Sequence, residues 1–467
     1  MRKRTTTLLG TASVAAVAGL TAWRFRTHPA GQPALNLNQR GAKPRVVIVG
    51  AGFAGLSAAV QLAKARNELD VVVLDQRNYN LFSPLLYHLA ASLVDLEAIA
   101  IPVRSIAYRK GFAFYQARVE RIDLEKRELY TDLGPDPVVF DYLVLSPGSV
   151  TTFFGLESAQ KYTYALKNVV DANRIRAAVL ETLEAANKAT DPEERKQRLR
   201  IGIVGGGPTG LELAGALVAL IKDLAGREYP NIHPSDASIT VFEAMPSVLP
   251  GMPDELKAMA IEQLGKRGVV VRTNAPVADV TPTEIVLRDG RRYPLGLIIW
   301  SAGVEGNPLL RELPAERLRN QRTVVEPELN IPGHEHVYVI GDGAAGPVGT
   351  TYPAVAPVAI QMGKTAARNI LRQIHGKSPL PFQYHDRGNM VMTGRYAGVA
   401  NVYGVKFDGF PAWLLWRILH VSWVNTLRGK AEVLLDWAFV YVGPRQTALI
   451  EEQIPRTTVA TPAASAG

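Results

Sequence analysis

Four consecutive apolar residues, Val46 to Val49, are followed by Gly50, Gly52 and Gly55 and then by a stretch whose apolar positions recur at helical spacing. A short apolar run closed by a glycine turn predicts a buried strand, and the 3.6-residue recurrence after it predicts a helix. The run VVVLD then ends a second strand on Asp75, 25 residues beyond Gly50. The same alternation returns in LRIGIVGGGPTGLELAGALVAL, with Gly205, Gly207 and Gly210, and the strand SITVFEA ends on Glu243. The wider spacing to Glu243 is accounted for by an insertion around Asp223 to Asp236, where Gly, Pro, Asn and Ser follow one another in turn-like order. A third apolar run, Val337 to Ile340, meets Gly341 and Asp342 and leads into a helical pattern from Ala354 to Ile370. Strict alternation around the Asp289-Gly290 turn, and again from Arg118 through Glu128 and Leu129 toward Ser146 to Ser149, predicts a small antiparallel excursion in each half.

Strand, G-x-G-x-x-G, helix and a distal acidic residue form a dinucleotide-binding unit, and each part has a physical purpose. The first glycine makes the tight turn, the second lets backbone approach a pyrophosphate, and the third lets helix pack on strand. The helix N-terminus faces the phosphates, and the carboxylate accepts from ribose hydroxyls. Two complete units, Gly50, Gly52, Gly55 with Asp75 and Gly205, Gly207, Gly210 with Glu243, predict two bound dinucleotides. In two-dinucleotide flavoproteins a strand such as Val337 to Ile340 returns to the first domain and sets an aspartate, here Asp342, on the ribityl chain of FAD. That pairing assigns non-covalent FAD to the first unit and the nicotinamide cofactor to the second. Glu243 is followed by Ala244, Met245 and Pro246, with no cation to receive a 2'-phosphate, so NADH is expected over NADPH.

The fold class expected is α/β, with two Rossmann-like domains of glutathione-reductase-like arrangement and a C-terminal membrane-associating region of amphipathic helices. The expected divisions are a signal or anchor segment with linker at 1–43, FAD-binding parts at 44–165 and 325–380, and the NADH-binding domain at 166–324. A C-terminal membrane-association region follows at 381–455, and the low-complexity tail 456–467 is expected to be disordered.

Composition narrows the chemistry. The 467 residues are 47% hydrophobic and 20% charged, ordinary for globular domains. They include no cysteine, which removes disulfides, thiolate metal sites, iron–sulfur clusters and redox-active cysteine pairs, and no metal site is expected. The net charge of +9 and pI near 9.5 admit an anionic partner, but the Lys and Arg residues are scattered and no nucleic-acid-binding motif accompanies them. At the start, Arg2, Lys3 and Arg4 precede an uncharged run from Thr5 to Trp23, which then meets Arg24 and Arg26; a cleaved signal and a retained anchor both fit. Residues 407–441 hold four of the six tryptophans, with Phe407, Phe410, Phe439 and Tyr441, and among them Arg417, His420, Arg428 and Lys430. Aromatic rings favour the headgroup level and basic groups favour anionic lipid, so this segment is expected to lie on a bilayer, part of its aromatic face packing on the body.

An ordered set of segments carries a resemblance. VVIVGAGFAGLSAA, NYNLFSPLLYHLA, IAIPVRSI, GSVTTFFGL, IVGGGPTGLELAGAL, VFEAMPSVLPGMP, IIWSAGV, VIGDGAA, YPAVAPVAIQMGKTAARNI and FQYHDRGNMVMTGRYAGVA follow in the order seen in type II NADH dehydrogenases. The chain resembles that family from about residue 44 to 450. The resemblance implies FAD, NADH, a membrane quinone as acceptor and no proton pumping; a homodimer is expected, and because NADH is intracellular the expected seat is the cytoplasmic face of the membrane. It also implies two catalytic residues. Gln361 matches a glutamine near flavin and quinone, with a helix-surface amide as the plain alternative; the family's second glutamine, four residues earlier, is Pro357 here. Glu212 matches a glutamate facing nicotinamide and flavin, with a dipole-favoured first-turn glutamate as the alternative. His88, His375 and His420 have no partners that the sequence identifies.

Sulfide:quinone oxidoreductases, NADH peroxidases and disulfide reductases need cysteines that this chain lacks. A naphthoquinone-biosynthesis reductase, a soluble NAD(P)H diaphorase and an NADH-switched flavoprotein resembling apoptosis-inducing factor remain as rival readings.

Overall fold

The computed structural model describes residues 35–443, 445, 447 and 448, so the expectations for the N-terminal signal or anchor and for the tail lie outside the described residues. Two parallel sheets carry the nucleotide-binding units. In the first, the strands run in the order Asn330–Ile331, His334–Val339, Tyr142–Leu145, Arg45–Val49, Asp70–Asp75 and Ala113–Gln116, parallel except for the outermost pair Asn330–Ile331 and His334–Val339. Arg45–Val49 is buried at every position, which explains its unbroken apolar run. The helices Phe53–Leu62 and Ala356–Ile374 pack closely against each other; a Cβ on Gly363 would lie 2.2 Å from the Ala54 carbonyl oxygen, so only glycine permits that approach.

The second sheet repeats the plan with Tyr164–Ala165, Leu297–Trp300, Arg200–Val204, Ser238–Phe242 and Val269–Arg272, all parallel. Each half carries a three-stranded antiparallel meander, at 119–139 and 277–294. The chain leaves the first half along Ser149–Thr151 and returns along Val304–Gly306, and these two strands pair antiparallel as the connection. Late in sequence, His334–Val339 slots in parallel beside Tyr142–Leu145 and delivers Asp342 to the first half.

The C-terminal region holds the expected helices and places a sheet before them. It opens with a three-stranded antiparallel sheet, Gly388–Gly394, Ala397–Val402 and Val405–Asp408, and only then forms the helices Gly409–Trp423 and Leu427–Val442. The second hairpin turns through Tyr403 and Gly404, both at positive φ, the conformation that two-residue hairpin loops need. Tyr-Gly between two valines is the signal that the sequence carried for it.

Of the expected two-sided packing, most of the tryptophans take the side of the body. Trp413, Trp416 and Trp437 are buried, whereas Phe410, Leu414, Ile418, Leu434, Leu435 and Phe439 are exposed. Arg417, expected to favour lipid, is buried among the rings, its guanidinium 4.4 Å from Trp413 and 4.0 Å from Trp437, and it donates to the Tyr441 hydroxyl at 2.6 Å. The largest rings have the most area to bury, and a desolvated cation is held by stacked π faces, so both go to the body while smaller apolar side chains are left outside. No helix among the described residues is long and apolar enough to cross a membrane.

Candidate functional site

A cleft of about 1170 Å³ has walls that include Gly50, Gly52, Asp75 and Asp342 from the first unit and Pro208, Thr209 and Glu212 from the start of the second unit's helix, while Gly205, Gly207, Gly210 and Glu243 are not among the residues lining it. At each unit the backbone obeys the same local logic. Gly50 and Gly205 sit at φ +98° and +115°. A Cβ on Gly55 or Gly210 would fall 1.9 or 2.0 Å from the carbonyl oxygen of Gly50 or Gly205, so these glycines are required by the protein itself. Gly52 and Gly207 are different: a Cβ on either meets no protein atom within 4 Å. Each is the N-cap of its helix, neither helix has a side-chain cap, and neither has an acidic residue in its first turn. Free N–H groups, a positive helix end and open space in front of it are what a pyrophosphate needs, so the residues present fit dinucleotides at both places.

The acidic residues are positioned by matching bonds. Ala51 N–H donates to Asp75 Oδ2 at 2.6 Å and Arg77 N–H to Oδ1 at 2.8 Å. Gly206 N–H donates to Glu243 Oε2 at 2.6 Å and Met245 N–H to Oε1 at 2.8 Å. Each carboxylate is thus tied to its glycine turn and to its own following loop, with lone pairs left for ribose hydroxyls. Burial pushes the Asp75 carboxyl up, opposed by the two N–H bonds. Asp342 accepts from Ser149 Oγ at 2.7 Å, and Lys167 Nζ donates to that hydroxyl at 2.7 Å while lying 3.7 Å from the carboxylate. Ser149 and Lys167 line the cleft but had no signal in the sequence beyond polar residues at strand and helix ends.

Glu212 is buried, and burial raises its pKa to about 8, with the Met392 N–H and the Trp416 indole pulling it down. The side chain is therefore a neutral acid at pH 7, able to donate a hydrogen bond. It borders both the cleft and a smaller cavity of about 30 Å³ lined in part by Tyr87, Arg417, Tyr441 and Arg445, a space that suits one or two ordered waters.

Gln361 is not among the residues lining the cleft. Its Nε2 donates to the His385 carbonyl at 3.0 Å and its Oε1 accepts from the His385 N–H at 3.0 Å. These two bonds tie Gln361 to the segment that leads to Gly388, Asn389 and Met390 on the cleft wall, and they leave one N–H and one lone pair of the amide unused. Pro357, one turn earlier, does line the cleft. Beyond it the cleft ends among Tyr87, Trp416, His420 and Trp423, where the C-terminal helices meet the body. The sequence alone gave His420 no role because its place on the cleft wall depends on folding, which brings Phe82, more than 300 residues away, beside its local ring neighbours Trp416 and Trp423. Among the described residues no group of three or more His, Asp or Glu is placed to hold a metal ion.

Residues 44–363 match the family model described as pyridine nucleotide-disulphide oxidoreductase. The chain is 33% identical over 420 residues to the type II NADH:quinone oxidoreductase Ndh of Mycobacterium tuberculosis, covering 87% of this chain and 89% of that one. It is 30% identical to the type II NADH:quinone oxidoreductase of Staphylococcus aureus, covering 83% and 96%. In fold it is similar to NDH2 from Plasmodium falciparum solved with NADH (TM-score 0.80, 19% identity, 87% and 100% covered). It is also similar to the sulfide:quinone oxidoreductase of Aquifex aeolicus (TM-score 0.67, 17% identity, 83% and 92% covered).

Proposed function

The chain belongs to the pyridine nucleotide-disulphide oxidoreductases and, within them, to the type II NADH:quinone oxidoreductases, and from that membership we propose how its cleft is used. The protein is an FAD-dependent enzyme that moves electrons from NADH to a membrane quinone. The observation that carries the assignment is a cleft whose walls combine the first nucleotide unit, the start of the second unit's helix and aromatic residues of the C-terminal helices.

In this reading the Gly52 helix end binds the FAD pyrophosphate, Asp75 the adenosine ribose, and Asp342, held by Ser149 and Lys167, the ribityl chain. Gly207 and Glu243 take the corresponding parts of NADH, and the Glu243 carboxylate repels a 2'-phosphate. The chemistry that bound FAD supplies is acceptance of hydride from NADH and delivery of two electrons to the quinone. Glu212, protonated at neutral pH, orients the nicotinamide amide and holds a proton beside the reacting groups. Pro84, Met390 and Trp423 keep the quinone end apolar and exclude water.

Anaerobic stopped-flow tests this directly. Mixing with NADH is expected to bleach the flavin rapidly, NADPH several-fold more slowly, and a short-chain quinone to restore the colour within the turnover time. A reduced flavin that persists in the presence of quinone would sink the enzymatic reading and favour an NADH-switched protein acting through a partner.

Membrane seating is assigned to the outward apolar side of residues 407–441, on the face that NADH reaches. Ile418, Leu434 and Phe439 are 58%, 53% and 69% exposed. Burying each such side chain in the interfacial region contributes on the order of 1 kcal/mol or more. The triple variant Ile418→Ser, Leu434→Ser, Phe439→Ser is therefore expected to lower binding to anionic lipid vesicles ~10-fold or more with FAD content retained. Undiminished cosedimentation with vesicles would show that another surface makes the contact.

A further inference from the structure

His420 lies at the aromatic end of the cleft, 8% exposed, and it is surrounded by rings. It stacks on Trp416 with centroids 3.8 Å apart and planes inclined by 18°. Phe82 meets it edge-on at 6.4 Å, and Trp423 lies 5.4 Å away on the cleft wall. Nδ1 is 2.7 Å from the Trp416 carbonyl oxygen. A carbonyl only accepts, so Nδ1 carries the proton and Nε2 presents a lone pair. No described protein group bonds Nε2. Burial holds the ring pKa at about 4, far below neutrality, so the lone pair persists at working pH.

The two oxidation states of a quinone differ in hydrogen-bonding sense. The oxidised ring carries two carbonyl oxygens, which accept; the reduced ring carries two hydroxyls, which donate. A fixed acceptor in an apolar wall opposes the first and pairs with the second. We propose that His420 is a product-recognition residue: its Nε2 accepts a hydrogen bond from a ring hydroxyl of the reduced quinone and repels the carbonyl of the oxidised one. This rests on the quinone reading of the cleft given above. The bond forms once both protons have reached the ring oxygens, so His420 neither gives nor takes one. Its effect is to favour the reduced ring in the bound state, which pulls the on-enzyme equilibrium toward product and makes the quinol a product inhibitor.

The test is equilibrium binding to the oxidised, FAD-loaded enzyme, read by quenching of tryptophan fluorescence on titration with decylubiquinone and, separately, decylubiquinol under anaerobic conditions. Wild type is expected to bind the quinol about five- to tenfold more tightly than the quinone, the worth of one hydrogen bond made or opposed. In His420→Phe, which keeps a ring against Trp416, the two affinities are expected to converge, with the loss falling on the quinol, and the quinol inhibition constant should rise by the same factor. His420→Gln offers both an acceptor and a donor, so it should bind both forms with a ratio near one, and it serves if the Phe variant does not fold. Equal weakening of both forms, or an unchanged ratio in either variant, would overturn the proposal. A wild type that binds both forms equally overturns it while leaving the enzyme assignment standing; one that binds neither and is not reoxidised by quinone removes that assignment as well.

Discussion

Gly52→Ala is expected to yield a folded protein that has lost most of its FAD, and Gly207→Ala a folded, yellow protein that has lost most of its affinity for NADH. The structure separates these glycines from their neighbours. A methyl group at either position meets no protein atom within 4 Å, so the chain itself tolerates it. Both sit at negative φ, −74° and −73°, where alanine is unstrained. What the methyl group would meet is the pyrophosphate lying against the helix end, which needs backbone contact through the free N–H groups. Displacing it by the width of a methyl group lengthens several charge-assisted hydrogen bonds together, and losing even about 1.4 kcal/mol lowers affinity ~10-fold. Flavin absorbance per protein, far-UV circular dichroism and calorimetric NADH binding read the three quantities separately. Gly55→Ala and Gly210→Ala should behave differently, because there the new carbon sits on a carbonyl oxygen of the same turn and must distort the domain. Full FAD content in Gly52→Ala would mean that the pyrophosphate does not approach that backbone.

Glu212→Gln is expected to lower kcat by about 10- to 100-fold, within the range that a lost positioned acid costs, while FAD content stays unchanged. It should also change how stability depends on pH. The folded pKa of Glu212, about 8, lies above its ordinary value of 4.5 because the carboxylate would be desolvated. Below pH 4.5 both folded and unfolded chains hold the proton, and the full contribution is present. Between 4.5 and about 8 the unfolded chain has released it and the folded chain has not, so the contribution falls as pH rises and levels off above 8. The amide cannot ionise, so the variant should lose less of its thermal midpoint than wild type between pH 5.5 and 8.5. Identical slopes for the two proteins, together with unchanged steady-state kinetics, would remove both the proton-holding and the stability role.

Strand, turn glycine and helix are encoded within about 25 residues, because they depend on backbone conformation and on contacts between a turn and the helix it opens. Gly50, Gly52, Gly55 and Asp75 were therefore legible as a unit in the sequence, as were their counterparts ending at Glu243. The apolar run ending at Asp342 was legible for the same reason, and the absence of cysteine removed whole reaction classes by composition alone.

Orientation was not legible, because it depends on which distant surface an element finds. The aromatic content of 407–441 was plain, but whether its tryptophans turned to lipid or to the body depended on packing against segments more than 300 residues earlier. Burial of the largest rings against Tyr87 and His88 won. The type and place of Gln361 were plain in the chain, but that its amide bonds both ways to the His385 backbone was decided by the tertiary structure. Glu212 read equally as a dipole-favoured helix glutamate or as a site acid, and only the folded chain, by removing water from it, made it a group that keeps its proton at pH 7. Local backbone chemistry was determined by the sequence by itself; side-chain direction, desolvation and charge state were decided by the tertiary structure, because each depends on atoms brought together by folding from far along the chain.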